Sequence, residues 1–151
     1  MATFFEPRSS LDGDLTSSLM EFVVSNAVRV TKGFAVTLVN GYVELCSANQ
    51  PLLGVAAETI LGNTSSVKVA VYTNPNIIYY NDADGNNAQV NDIGQAYQVS
   101  GSRRIDQSTG SDAEGAALTT YQFILVKTDP DGDGDLSKGL FKPFNSQLGS
   151  L

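Results

Sequence analysis

Residues 28–58 read VRVTKGFAVTLVNGYVELCSANQPLLGVAAE, and the punctuation of this stretch decides the fold. Asn40-Gly41 divides two alternating runs. Both residues tolerate positive φ, so the pair predicts a type I′ hairpin turn. Before it, Ala35, Thr37 and Val39 face one way and Val36 and Leu38 the other. After it, Tyr42, Glu44 and Cys46 alternate with Val43 and Leu45. A short apolar run, Leu52 to Ala57, follows Gln50-Pro51 and reads as a buried returning strand.

The pattern continues downstream. Val67–Tyr72 alternates as a half-buried strand. Ile77–Tyr80, Gln95–Ser100, Thr119–Lys127 and Gly139–Phe144 follow, with a short strand expected near Arg104–Asp106. Gly, Asn, Asp and Pro separate them. Upstream, Val28–Val30 is a further strand, and a helical turn is expected between Asp14 or Thr16 and Met20. Strands this short and this regularly interrupted predict a mainly β protein, a single antiparallel barrel or sandwich. Phe4-Phe5 before the polar run from Pro7 to Asp14 suggests an extended N-terminal arm that docks on a partner, and a frayed terminus or a strand packed on the same domain explains the same residues. The expected division is residues 1–22 as arm, 23–144 as β-domain and 145–151 as tail.

Composition removes several function classes. Nine Lys and Arg against 16 Asp and Glu leave a net charge of −7, which disfavours direct binding of nucleic acid. No apolar run approaches the ~18 residues of a membrane helix. The first residues lack the basic start and apolar core of a secretory signal. The chain has no histidine. That removes a Ser-His-Asp triad, most zinc sites and the usual activator of the single cysteine, Cys46, which reads as a small core residue. Gly33, Gly41 and Gly54 form no phosphate loop. No catalytic residues are expected, and the chain is read as a non-enzyme.

The sharpest local pattern is Asp129-Pro130-Asp131-Gly132-Asp133-Gly134-Asp135. Carboxylates at alternate positions followed by glycine match the first half of a calcium loop, because a hard cation needs several oxygens converging on one point. Leu140 stands where such a loop places its bidentate glutamate, and Pro130 stiffens the run. A solvated turn between strands explains the same residues. Calcium on Asp129, Asp131, Asp133 and Asp135 therefore stays open beside the plain turn. Asn81-Asp82-Ala83-Asp84-Gly85-Asn86 repeats the theme weakly. Arg103-Arg104 is a lone basic pair suited to a neighbouring subunit. Tyr79 and Tyr80 add aromatic weight suited to an interface or a sugar platform.

Residues 25–144 resemble the decoration, or cement, proteins of tailed-bacteriophage capsids. The resemblance rests on Thr31-Lys32-Gly33-Phe34-Ala35-Val36, Asn40-Gly41 and Leu52-Leu53-Gly54-Val55-Ala56. Further along, Gly94-Gln95-Ala96-Tyr97-Gln98-Val99, Phe123-Ile124-Leu125-Val126 before Asp129-Pro130, and Leu140-Phe141-Lys142-Pro143 carry it. The 101–117 insertion and the Phe-Phe arm depart from the pattern. The resemblance implies a small β-rich homo-oligomer, often a trimer, on the outer surface of the virion. Its partner there is the major capsid protein, and it resides in the host cytoplasm during assembly. Phe4, Phe5, Leu140, Phe141 and Phe144 are the expected capsid or subunit contacts. The alternative is a calcium-dependent β-sandwich module for ligand binding or adhesion. An all-β nucleotide hydrolase is a distant third reading, since the carboxylates cluster in turns without a phosphate cradle.

Overall fold

A computed structural model describes residues 4–11, 19–83, 93–112, 121–135, 137–144 and 147–148. Thirteen strands follow in chain order: β1 (Glu6–Ser10), β2 (Leu19–Val23), β3 (Arg29–Val30), β4 (Ala35–Val39), β5 (Tyr42–Leu45), β6 (Gly54–Ala56), β7 (Ile60–Leu61), β8 (Lys68–Tyr72), β9 (Ile77–Asp82), β10 (Gln95–Ser100), β11 (Arg104–Asp112), β12 (Phe123–Thr128) and β13 (Lys138–Pro143). They build a six-stranded sheet in the order β1-β9-β13-β12-β10-β11, a five-stranded sheet in the order β2-β8-β6-β4-β5, and the small pair β3-β7. Every pairing in these sheets is antiparallel. The mainly β, antiparallel fold read from the sequence as a barrel or sandwich is observed as packed antiparallel sheets, a sandwich, and among the described residues no helix is long and apolar enough to cross a membrane.

The deciding hairpin forms as read. Asn40 and Gly41 take φ of 52° and 84°, and Val39 faces Tyr42 across the turn. Two positive φ values in succession give the hairpin a twist that matches its strands. Alternation then sorts the side chains. On β4, Ala35 faces one core and Val36 the other; on β6, Val55 and Ala56 divide likewise. Both strands are buried on both faces, which explains why β6 reads as an unbroken apolar run.

The first core lies between the sheets and sets aromatic rings among aliphatic side chains such as Leu52, Ile77, Ile105 and Leu125. Phe5 stacks on Phe123 with ring centroids 4.3 Å apart, and Tyr79 meets both rings edge-on at 6.3 and 6.2 Å. Phe141 and Tyr97 form another edge-on pair at 6.2 Å. Such geometries align the positive ring edge with the negative ring face. The second core is aliphatic: Val24, Val30, Val36, Val43, Leu53, Ala56, Val69 and Val71, with Leu148 packed against it. It is enclosed because the five-stranded sheet curls until Val24 bridges Val43 in parallel, with Ser25 N–H donating to Val43 O at 3.0 Å.

Side-chain amides complete what the ladders leave open. Buried Asn81 accepts from Ile105 N–H at 3.0 Å and donates to Arg103 O at 2.9 Å, joining β9 to the start of β11. Gln147 does the same for β4, accepting from Leu38 N–H at 2.9 Å and donating to Leu38 O at 3.4 Å. Gln122, fully buried, accepts from Val99 N–H and donates to Gln50 O. Each carboxamide offers one donor and one acceptor, so it can stand in for a residue of a missing strand.

The structure differs from the sequence expectations at four places. The segment taken as an arm contributes β1, paired with β9 from Glu6↔Tyr80 to Ser10↔Ile77, and β2, paired with β8. The physical reason is Phe5, which is fully buried and anchors β1 to the sheet. The expected helical turn falls mainly on residues outside the described set, and Leu19–Met20 open a strand instead. Within the 101–117 insertion, a turn at 101–103 leads into strand from Arg104 to Asp112, with a register jump between Ala96 and Gln98 opposite it. Residues 113–117 lie outside the described residues. The tail, read as having no structural signal, places Gln147 and Leu148 against the second core.

Candidate functional site

The acidic run after β12 folds back on itself before β13. Asp129 accepts N–H bonds from Asp133 at 3.2 Å and Gly134 at 3.0 Å. Asp133 accepts from Asp135 N–H, and Asp135 accepts from the N–H and hydroxyl of Ser137. Aspartate closes such turns readily because its short carboxylate reaches the backbone two residues on. The remaining carboxylate oxygens converge on one cation, the Lys138 ammonium. It lies 2.9 Å from Asp133, 3.7 Å from Asp135 and 3.8 Å from Asp131.

The electrostatics follow this geometry. The hydrogen bond to Lys138 holds Asp133 below the usual carboxylate range, and hydrogen bonds from Ser137 do so for Asp135. Lys138 is pushed above the ordinary lysine value, chiefly by its bond to Asp133. Calcium was one reading of these four aspartates. In this structure three of them lie around the ammonium of Lys138, at the start of β13, and Asp129 accepts from backbone N–H groups. Among the described residues, no group of three or more His, Cys, Asp or Glu is placed to hold a metal ion. In the weaker loop, Asp82 accepts from Ser137 at 3.1 Å, while residues 84–86 lie outside the described set.

The expected contact residues separate into two groups. Phe5 and Phe141 are fully buried in the inter-sheet core of this chain, so their rings are unavailable to another. Burial of an aromatic within its own fold outcompetes display for a partner because each ring removes much apolar area from water. Phe4, Leu140 and Phe144 are only half-buried. Phe4 lies against the Lys32-Gly33 turn, beside a cavity of about 390 Å³ shared with Pro7 and Tyr72. Phe5 N–H donates to Gly33 O at 2.7 Å, fastening the N-terminal segment to that turn.

Tyr79 and Tyr80 are buried as well, so neither presents a flat platform. Arg8 covers the Tyr80 ring at 4.4 Å from its centroid. The Tyr79 hydroxyl is enclosed and finds no partner among the described residues. Cys46 is buried, its thiol pushed up to about 12 by desolvation, which suppresses the reactive thiolate. Arg103 is exposed, whereas Arg104 is half-buried.

Sequence reading missed Lys138, although a lysine three residues beyond an alternating aspartate run is a visible signal. It also missed the exposed apolar side chains Leu19, Met20, Tyr42, Leu61 and Val126 on strands. No protein-family model matches the chain, and no curated protein matches it.

Proposed function

We propose that this chain is a structural protein of a virion, a decoration protein that binds the outer surface of a tailed-phage head and reinforces the shell. The observation that carries the reading is that the resembling motifs fall on neighbouring strands, the first three in the five-stranded sheet and the later three on β10, β12 and β13 of the six-stranded sheet. The Lys32-Gly33 turn leads into β4, Asn40-Gly41 joins β4 to β5, and Leu53–Ala56 supplies β6 beside β4. The protein acts as a homo-oligomer, a trimer in the resembling family. Each copy then contributes a modest contact area, and linkage of copies multiplies the attachment. Half-buried Phe4, Leu140 and Phe144 are the contact candidates kept from the sequence; Phe5 and Phe141 serve the fold. Lys138 already neutralises part of the acidic loop, so this reading needs no calcium.

The test is co-sedimentation of the purified chain with shells assembled from the major capsid protein of the same genome, in calcium and in chelator. The expected outcome is saturable binding, indifferent to chelator. A chain that stays in the supernatant at every concentration overturns the proposal, and binding only in calcium favours the adhesion-type module.

A further inference from the structure

A second cavity, of about 370 Å³, opens where β2, β5 and the turn at 63–66 meet. Tyr42, Ser25, Asn26, Asn63, Thr64 and Ser66 line it. Its size lies within the usual range for small-ligand sites. Its walls are fixed by backbone bonds rather than by side chains. Val24 N–H donates to Val67 O at 2.8 Å, Ser25 N–H to Val43 O at 3.0 Å, and Ala27 N–H to Gly62 O at 3.0 Å. Gly62 N–H returns to Val28 O at 2.8 Å, and Gly62 lies so close to the Ser25 carbonyl that any Cβ would overlap it. Ala27 and Ser66 hold φ of 65° and 58°, a backbone region that L-residues rarely occupy. The site is therefore set before any ligand arrives, which lowers the ordering cost of binding.

The lining is uncharged in a chain of net charge −7 and mixed in character, with Val23, Val24 and the Tyr42 ring beside the carboxamides and hydroxyls. The nearest carboxylate in the hydrogen-bond network, Glu44, is engaged by the Ser25 hydroxyl at 3.1 Å. The Tyr42 ring is 49% exposed, although β5 carries it next to a closed core. Asn63 uses its Oδ1 to accept from Ser65 N–H at 2.8 Å, which leaves its NH₂ directed by that bond. An uncharged concavity with one amphipathic ring, two carboxamides and several hydroxyls matches a ligand with an apolar ring face and equatorial hydroxyls. An anion finds no lining cation, and an apolar molecule would leave the amides unpaired.

We propose that this cavity binds one pyranose ring of a neutral glycan, with the C–H face on Tyr42 and the hydroxyls on Asn26, Asn63, Thr64 and Ser66. The inference is independent of capsid binding and is tested on the isolated full-length protein. The ¹⁵N-labelled chain is titrated with millimolar methyl glycosides of glucose, galactose, mannose and N-acetylglucosamine, with glycerol as control. The expected result is that at least one glycoside moves amide signals confined to residues 23–27, 42–43 and 62–67. Tyr42→Ala then weakens binding by about tenfold, the loss expected for an aromatic platform. Thr64→Ala weakens it less, and both variants keep the remaining amide spectrum. The proposal is overturned if no glycoside moves those signals, if glycerol moves them equally, or if Tyr42→Ala binds as the parent does.

Discussion

The core between the sheets mixes the rings of Phe5, Tyr79, Tyr97, Phe123 and Phe141 with aliphatic side chains, whereas the fully buried side chains of the core inside the curled five-stranded sheet are all aliphatic. The difference follows the spaces to be filled. Two facing sheets lie roughly 10 Å apart, a gap that aromatic rings span. The core of the curled sheet is filled mainly by branched aliphatic side chains, which also suit strand backbones, and Phe22 packs against it only partly buried. Both cores are locked by terminal parts of the chain. Phe5 enters the first from the N-terminal side, and Leu148 packs on the second from the C-terminal side.

This comparison can be broken by substitution. Phe123→Ala removes a ring touching both Phe5 and Tyr79, and should cost about 3–5 kcal/mol in urea unfolding. Val71→Ala in the aliphatic core should cost roughly 2 kcal/mol. Equal losses would show that the two cores are not energetically distinct. The bridging amides give a smaller contrast. Asn81→Ala strands the buried Ile105 N–H and leaves the part-buried Arg103 C=O without its donor, and should cost about 2 kcal/mol, measured the same way. Gln147→Ala uncovers half-buried partners that water can reach, and should cost about 1 kcal/mol.

The smallest effect belongs to the acidic loop, outside both cores. Asp133 and Asp135 have folded-state pKa values below the ordinary 3.8. Their contribution is therefore present above that value and is lost as pH falls through the depressed one. Lys138 is raised, so its contribution is present below the ordinary 10.5 and is lost only as pH rises through its higher folded value. Lys138→Met should lower the melting temperature slightly at neutral pH, where the aspartates then repel. It should also flatten the acid limb of the profile, because Asp133 loses its main partner. Melting curves between pH 2 and pH 7 check this; parallel profiles for the two proteins would contradict it.

The sheet inventory was legible where local chemistry decides it. Asn40-Gly41 fixed a turn, and alternation at 35–45 and 68–72 fixed strands, because φ preference and period-two patterning act within a few residues. What escaped was decided at long range. Nothing near Phe5 distinguishes a ring displayed to a partner from one stacked on Phe123, which is more than a hundred residues away in the chain. Gln147 looks like any tail residue until Leu38 is placed opposite. The aspartates of 129–135 announced a cation, but their spacing could not tell a metal ion from the Lys138 ammonium. Tyr42, legible as a hairpin residue, shares a cavity with the 63–66 turn only once the fold brings the two together.

The account turns most on the N-terminal aromatic segment belonging to the fold rather than to a free docking arm. The direct test is equilibrium urea unfolding of Phe5→Ala in the full chain. Its ring stacks at 4.3 Å on Phe123 inside the aromatic core, so the predicted loss is about 3–5 kcal/mol with an unchanged dependence on denaturant. A midpoint equal to that of the parent would contradict the account and return Phe5 to the surface as a contact for another chain.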